Sequence, residues 1–308
     1  MVKIKKNSPI SAAAEEQGEL TTLRMAGVPE HFNLPWMLAL ERRAFIRAGV
    51  ELKWRTVPEG TGAMCTMLRA GELDLAVMVT EGAVRDILNG NPAKIVASFV
   101  DSPLTWGVHV GAATDITGPE QLAEVTYAIS RHNSGSHLVA LAYAKAHGRA
   151  LQESDLVVVN DLKGAEVSLE DAVPKAFLWE KFTTKHLVDS GAFRLVDEHR
   201  NPWPSFVVVA TDAVLAEHPD KVLRVLKVIR DQAAGLMQKK EAPEVFAQRY
   251  KMSVADAREW FRGVHWNTGT ALDPVALWGV VEALHASGAM APLPERETAL
   301  SALLPSPA

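Results

Sequence analysis

Two short stretches of this chain combine glycine with hydroxyl side chains in a way that suits the grip of a polar ligand: Glu59-Gly60-Thr61-Gly62 and Ser134-Gly135-Ser136. Each stands where a helical pattern begins. Glycine lets the backbone approach a ligand closely, and the first N–H groups of a helix have no carbonyl behind them. Two such starts facing each other would hold an anion or a carbonyl oxygen. The same residues also read as ordinary helix caps, and the spacing leaves both readings open.

Acids and aromatics gather at similar places. Thr80-Glu81, Asp101-Ser102 and Trp179-Glu180 each follow an apolar run, where a carboxylate in a partly dry cleft would take an amine or another donor-rich partner. Glu81 and Glu180 also stand where helices begin, and an acid there answers the helix dipole without a ligand. His31, Phe32 and Asn33 follow the first apolar run, with Trp36 close behind and Trp106 and Trp203 near later breaks. An aromatic face at a cleft edge can stack on a flat ring. Phe32 and Trp179, at run ends, are the best placed to do so. Arg131, His132 and His137, with Asn133 between them, can complement an anionic ligand. Met64, Met67 and Met78 read as gap-filling core.

Composition narrows the classes. The chain has 308 residues, 48% hydrophobic content and a formal charge of -5. It is long enough for two compact lobes and has no basic excess with which to neutralise a nucleic-acid backbone. The single cysteine, Cys65, rules out an intrachain disulfide and cannot by itself build a zinc or iron-sulfur site, and the ten histidines lack metal-ligand spacing. No metal or cofactor is expected. Residues 1–20 begin basic but develop no apolar run, so they read as a flexible tail and not an export signal. As it stands the sequence therefore points to the cytoplasm, and to the periplasm or cell exterior if a leader has been removed.

From Leu23 onward short apolar runs alternate with helical-period segments, the pattern of a sheet with crossover helices. Strands are predicted at 23–27, 52–57, 73–79 and 95–100, with helices at 33–48, 61–70 and 81–89. After Asp101-Ser102-Pro103 the alternation restarts, with strands at 106–110, 127–130, 156–159 and 176–179 and helices at 136–147, 166–173 and 181–190. Asn201-Pro202-Trp203-Pro204-Ser205 then precedes a strand at 206–210 and a helical remainder, closed by a proline-rich segment that reads as a loose tail. The expected organisation is a first lobe made of 21–103 and 205–308, a second lobe of 104–204, and two hinge crossings between α/β lobes whose sheets are mainly parallel.

Six segments in this order carry a family resemblance: Gly27-Val-Pro-Glu-His-Phe-Asn-Leu-Pro35, Gly60-Thr-Gly-Ala63, Gly71-Glu-Leu-Asp-Leu-Ala76, Ser130-Arg-His-Asn-Ser-Gly-Ser-His137, Phe177-Leu-Trp-Glu-Lys-Phe-Thr-Thr184 and Pro202-Trp-Pro204. Together they resemble the type II periplasmic substrate-binding proteins, in the branch that binds sulfonates, nitrate and the thiamine pyrimidine precursor, near an uncharacterised subgroup with some members lacking export signals. The pattern departs at Lys175, where the family commonly has an acid. The resemblance implies a monomer that closes like a hinge on a nitrogen heterocycle, a sulfonate or a carboxylate. It also implies service to an ABC-type permease, or a cytosolic relative of such a receptor, and no catalysis. The alternative is an enzyme on the same fold, similar to pyrimidine-precursor synthases or to chorismate-dehydratase-like lyases.

Overall fold

The computed structural model describes residues 20–306; the expected tail at 1–20 lies almost wholly outside them. The first sheet is built from β1 (Thr21–Gly27), β2 (Val50–Thr56), β3 (Leu75–Val79), β4 (Ala93–Val100) and β10 (Phe206–Thr211), in the order β2-β1-β3-β10-β4. The second uses β5 (Thr105–Gly111), β6 (Thr126–Ile129), β7 (Leu156–Val158), β8 (Lys175–Glu180) and β9 (Phe193–Arg200), in the order β7-β6-β8-β5-β9. The chain passes between them through 101–104 and returns through 201–205.

In each sheet four of the five strands run in one direction, as expected of mainly parallel sheets, and the fifth runs against them, which makes both sheets mixed. β1 runs parallel to β2 and β3, whereas β10 runs antiparallel to β3 and β4. In the second sheet β6 runs parallel to β7 and β8, and β5 antiparallel to β8 and β9. The cause is the crossing itself. β10 enters at the edge where β3 ends, Phe206 opposite Val79, so it must run back against its neighbours. All of β3 is buried, as its unbroken apolar run requires.

Helices cover the faces: α1 (Leu34–Glu41), α2 (Ala44–Arg47), α3 (Thr61–Arg69) and α4 (Thr80–Leu88) in the first lobe, then α5 (Gly135–Ala146), α6 (Leu162–Ser168) and α7 (Lys185–Asp189) in the second. After β10 come α8 (Asp212–Glu217), α9 (Pro219–Met237), α10 (Ala242–Tyr250), α11 (Val254–Gly263), α12 (Pro274–Ala286) and α13 (Arg296–Leu303).

Several elements differ from the sequence reading. The single helix expected at 33–48 is split by Arg43, which takes a left-handed backbone conformation. The helix expected at 166–173 starts earlier, because Asp161 caps it by accepting from the Gly164 amide. The one expected at 181–190 is cut to α7, since residues 181–184 form a turn in which the Thr184 hydroxyl lies 2.9 Å from His109 Nε2. Strand β9 has no counterpart among the expected strands. Its charged, half-exposed residues suit a sheet edge and hide the period-two signal. The proline-rich end, expected to be a loose tail, contains α13: Leu303 is fully buried, and Lys94 Nζ donates to the carbonyls of Ser301 and Ala302.

Candidate functional site

Open α/β sheets present ligands beyond the carboxyl ends of their strands. Here those ends face each other across the gap between the lobes. The first residues of α3 and α5 meet there: a Cβ added to Gly62 would stand 3.9 Å from the Ser134 amide, and one on Gly135 only 3.2 Å from Val79 and 3.1 Å from the Trp106 ring. Nearby, Arg131 of the second lobe donates to the Glu59 carbonyl of the first.

Between the helix starts lies a cavity of about 40 Å³ walled by both lobes. From the first come Val28, Glu30, Gly60, Thr61, Val79 and Phe206, and from the second Trp106, Ser130, Ser134, Gly135, Ser136, Trp179 and Glu180. The structure thus brings together Gly60, Thr61, Ser134, Gly135, Ser136, Trp179 and Glu180 among the residues singled out from sequence. Gly60 has φ 86°, a conformation that glycine alone adopts without strain, and it is the N-cap of α3. Thr61 is therefore not a cap. Its hydroxyl instead accepts from the Val79 amide at the end of β3. In α5 Ser134 is a true cap, accepting from His137 N, and the Ser136 hydroxyl accepts from the Ser130 amide.

The electrostatics of the cavity are those of dry acids. Glu180 is 3% exposed and accepts from both the amide and the hydroxyl of Thr183, yet burial raises it to about 7. Burial and then the neighbouring Glu180 charge raise the half-buried Glu30 to about 8. His31 Nε2 stands 3.7 Å from the Glu180 carboxylate, but burial lowers the imidazole to about 3, so it is neutral and the contact is not an ion pair. The Trp106 indole N–H is buried without an acceptor among the described residues.

Other residues named from sequence lie elsewhere. Phe32 is buried, boxed by His31, Phe206 and Trp260, so its ring faces are taken. Its remaining edge, with Ser102 and Glu180, lines a neighbouring cavity of about 170 Å³. His31 lines a third space of about 440 Å³ on the far side of Phe182. Asn33 donates to the Val28 carbonyl and fixes the turn after β1. Asn133 is exposed with φ 67°, its amide donating to His137 Nδ1.

Thr80 and Glu81 join the second crossing instead of the cavity. The Thr80 hydroxyl donates to the Pro204 carbonyl, and Glu81 accepts from Asn201 Nδ2 at 3.3 Å and Trp203 Nε1 at 3.1 Å. The crossings are also tied to each other, Ser205 donating through its hydroxyl to the Ser102 carbonyl. Sequence reasoning does not single out Glu30, Trp106, Ser130 or Phe206 as ligand contacts. Glu30 lies within a family-like segment and Trp106 among the aromatics, but only the contact between the two lobes puts them on one cavity.

The architecture is matched along nearly the whole chain by solved structures. The Candida albicans CA3427 gene product, described as defining a new family with the generic periplasmic binding protein fold, is 27% identical, with a TM-score of 0.86 over 93% of this chain and 96% of its own. The protein has the type II periplasmic-binding-protein fold. A family model described as Ca3427-like PBP matches residues 106–199, the second lobe of that fold. The same fold is shared with the alkanesulfonate-binding protein SsuA of Xanthomonas axonopodis pv. citri bound to MOPS, at 14% identity and a TM-score of 0.73 over 93% of this chain and 99% of the other. It is shared too with the nitrate-binding protein NrtA of Synechocystis PCC 6803, at 13% identity and 0.68 over 93% and 86%. No curated protein matches the chain.

Proposed function

We propose that this binding-protein fold works as a receptor for a small organic ligand, held between the lobes at the starts of α3 and α5 and enclosed by hinge movement about 101–104 and 201–205. The observation that carries the reading is the shared wall: the cavity takes Gly60 and Thr61 from one lobe and Ser134, Gly135 and Ser136 from the other, so its full set of contacts exists only when the lobes meet. A ligand that touches both halves stabilises the closed form by its differential affinity for that form. The alkanesulfonate- and nitrate-binding neighbours support a compact ligand. A closed lobe pair would be the signal read by an ABC-type permease or another partner.

The seam is partly apolar. Leu138 belongs to the apolar core cluster of the first lobe, where α5 packs on α4 and α12, and Phe206, Val79 and Trp106 line the cavity. Opening exposes these side chains, a cost that keeps the closed form populated beside the open one without ligand, and a ligand touching both lobes shifts the balance to the closed form.

Native mass spectrometry of freshly purified protein, followed by thermal-shift screening of pyrimidines, sulfonates, nitrate and aromatic carboxylates, tests the proposal. A co-purified or added compound should raise the melting temperature, and Trp179→Ala should weaken its binding at least fivefold with little loss of stability, because Trp179 is only half-buried. Failure of every compound together with the absence of any bound species would refute the receptor reading. A second reading, a cofactor-free lyase, is favoured by the two acids held near neutrality, since such groups can donate and accept protons. Turnover of a screened compound would establish it.

A further inference from the structure

We propose that Glu81 is a proton-operated latch on the second crossing: protonated, it holds 201–205 against the first lobe and keeps the lobes together, and its ionisation releases the crossing and favours the open form. This rests on the hinge of the receptor reading and adds to it a control by pH that needs no ligand.

Glu81 stands in the first turn of α4, 2% exposed, at a junction of three parts of the molecule. Its helix belongs to the first lobe, α5 of the second lobe packs against that helix, and the crossing supplies the hydrogen bonds to its side chain. One carboxyl oxygen faces Asn201 Nδ2 at 3.3 Å and the other Trp203 Nε1 at 3.1 Å. The preceding Thr80 completes the grip, its hydroxyl donating to the Pro204 carbonyl and its amide to the Ser205 carbonyl. Two residues of α4 thus hold four of the five residues on which the lobes would turn.

Both donors to Glu81 are neutral, and among the described residues the charges around it are engaged elsewhere. On α4 itself Arg85 donates to the Ala289 carbonyl, and Asp86 pairs with Arg69 of α3 at 2.5 Å. Lys94 of β4 donates to the Ser301 and Ala302 carbonyls, and His137 of α5 accepts from the Asn133 amide. On α12 Glu282 is exposed and His285 Nδ1 lies 3.1 Å from the Met290 carbonyl, while on α13 Glu297 is exposed and Arg296 lies over the Trp278 ring. β3 and β10 carry no charged side chain, and Cys65 of α3 turns to Met78. Burial lowers His199, just before the crossing, so it brings no positive charge at neutral pH.

The crossing also has an acceptor to spare. Asn201 Oδ1 is buried without a donor among the described residues. With the amide turned over, that oxygen would face Glu81, and a protonated carboxyl could donate to it. An ionised one cannot. A dry carboxylate with two neutral donors and no cation resists ionisation, and burial raises Glu81 to about 7. Moving the crossing off α4 admits water and lets the carboxyl return towards 4.5, so the open form binds the proton less tightly. The ratio of closed to open molecules therefore falls as pH rises from about 4.5 and levels off above about 7. Glu30 and Glu180, also raised by burial in the cavity, act in the same sense, so the latch is read as a difference between parent and variant.

Single-molecule energy transfer between dyes on Lys53→Cys of β2 and Lys163→Cys of α6, both exposed, reports lobe separation, Cys65 being buried. The closed-to-open ratio is measured without ligand at pH 5.5 and pH 8, in the parent and in Glu81→Gln, which stays uncharged. It should fall in both, but at least threefold further in the parent. Should Glu81→Gln fail to fold, Trp203→Phe, which removes a donor from the ionised form, should open the protein at least twofold more at pH 8 than at pH 5.5. Two populations whose balance shifts equally with pH in parent and Glu81→Gln, or a Trp203→Phe effect that is the same at both pH values, would overturn the latch and leave the hinge intact. A single unchanging population in every protein at both pH values would remove the hinge and the latch together.

Discussion

At the scale of single residues, the buried acids divide by partner. Glu180 and Glu30 face the cavity, but Glu81 is committed to the second crossing through Asn201 and Trp203. Burial raises Glu81 to about 7, against 4.5 for an ordinary glutamate. Between those two values the folded chain holds a proton that the unfolded chain has released, so this residue's contribution to stability falls as pH rises and levels off above about 7. Glu81→Gln mimics the protonated form and should be increasingly more stable than the parent from pH 5 to pH 8. The gap should approach about 3 kcal/mol if the full shift is realised. His31 and His109, lowered to about 3 and about 4 by burial, act in the opposite sense below pH 6.5, but they are common to both proteins and cancel in the comparison. Chemical denaturation at several pH values checks this, and parallel pH profiles would show that Glu81 is already ionised in the fold. Much of the cavity is legible in the sequence as glycine and serine at helix starts. Glu30 is not, because nothing in Val28-Pro29-Glu30-His31 distinguishes a cleft acid from a solvated turn until the second lobe is brought against it.

At the scale of elements, the proposed closure depends on how near α5 comes to β3. Gly135 is the tightest point, since a methyl group there would press on Val79 and Trp106 at 3.2 and 3.1 Å. Gly135→Ala should therefore hold the lobes slightly apart and weaken, at least threefold, the affinity for whichever screened compound raises the melting temperature. Gly62→Ala, with 3.9 Å to its nearest neighbour, should change little. Equal effects from both variants would show that the α5 contact does not govern closure. The elements most legible in the sequence are those with one unambiguous signal: buried β3 with its apolar run, and α12 with Pro274 at its first position. Strand β9 and helix α13 escape sequence reasoning for opposite reasons. The charged residues Arg194, Asp197, Glu198 and Arg200 mask the edge strand, and prolines on both sides of α13 suggest disorder although its apolar face is packed under α4 and β4.

At the scale of the molecule, the two sheets owe their mixed character to one strand each, β10 and β5, inserted against the direction of the neighbours the chain rejoins. This arrangement confines the covalent links between lobes to 101–104 and 201–205, bound together by Ser102 and Ser205. The remaining contacts across the gap are noncovalent, among them Arg131 on the Glu59 carbonyl, the packing of α5 against α4 and α12, His31 beside Glu180, and the partly exposed pairs Lys181–Glu259 and Lys185–Asp256 at 3.8 Å each. Surface pairs of that length contribute little, so the closed form is held chiefly by the apolar seam. The cavity left in it holds no more than a water or two, so on the proposed receptor reading a ligand of several heavy atoms would require the lobes to part before they close upon it. Small-angle X-ray scattering of the ligand-free protein and of its complex with the tightest-binding screened compound tests this most directly. Without ligand, a larger radius of gyration and a mixture of open and closed forms are expected, collapsing to the closed profile at saturation. Identical profiles in the two states, both matching the closed structure, would contradict hinge closure.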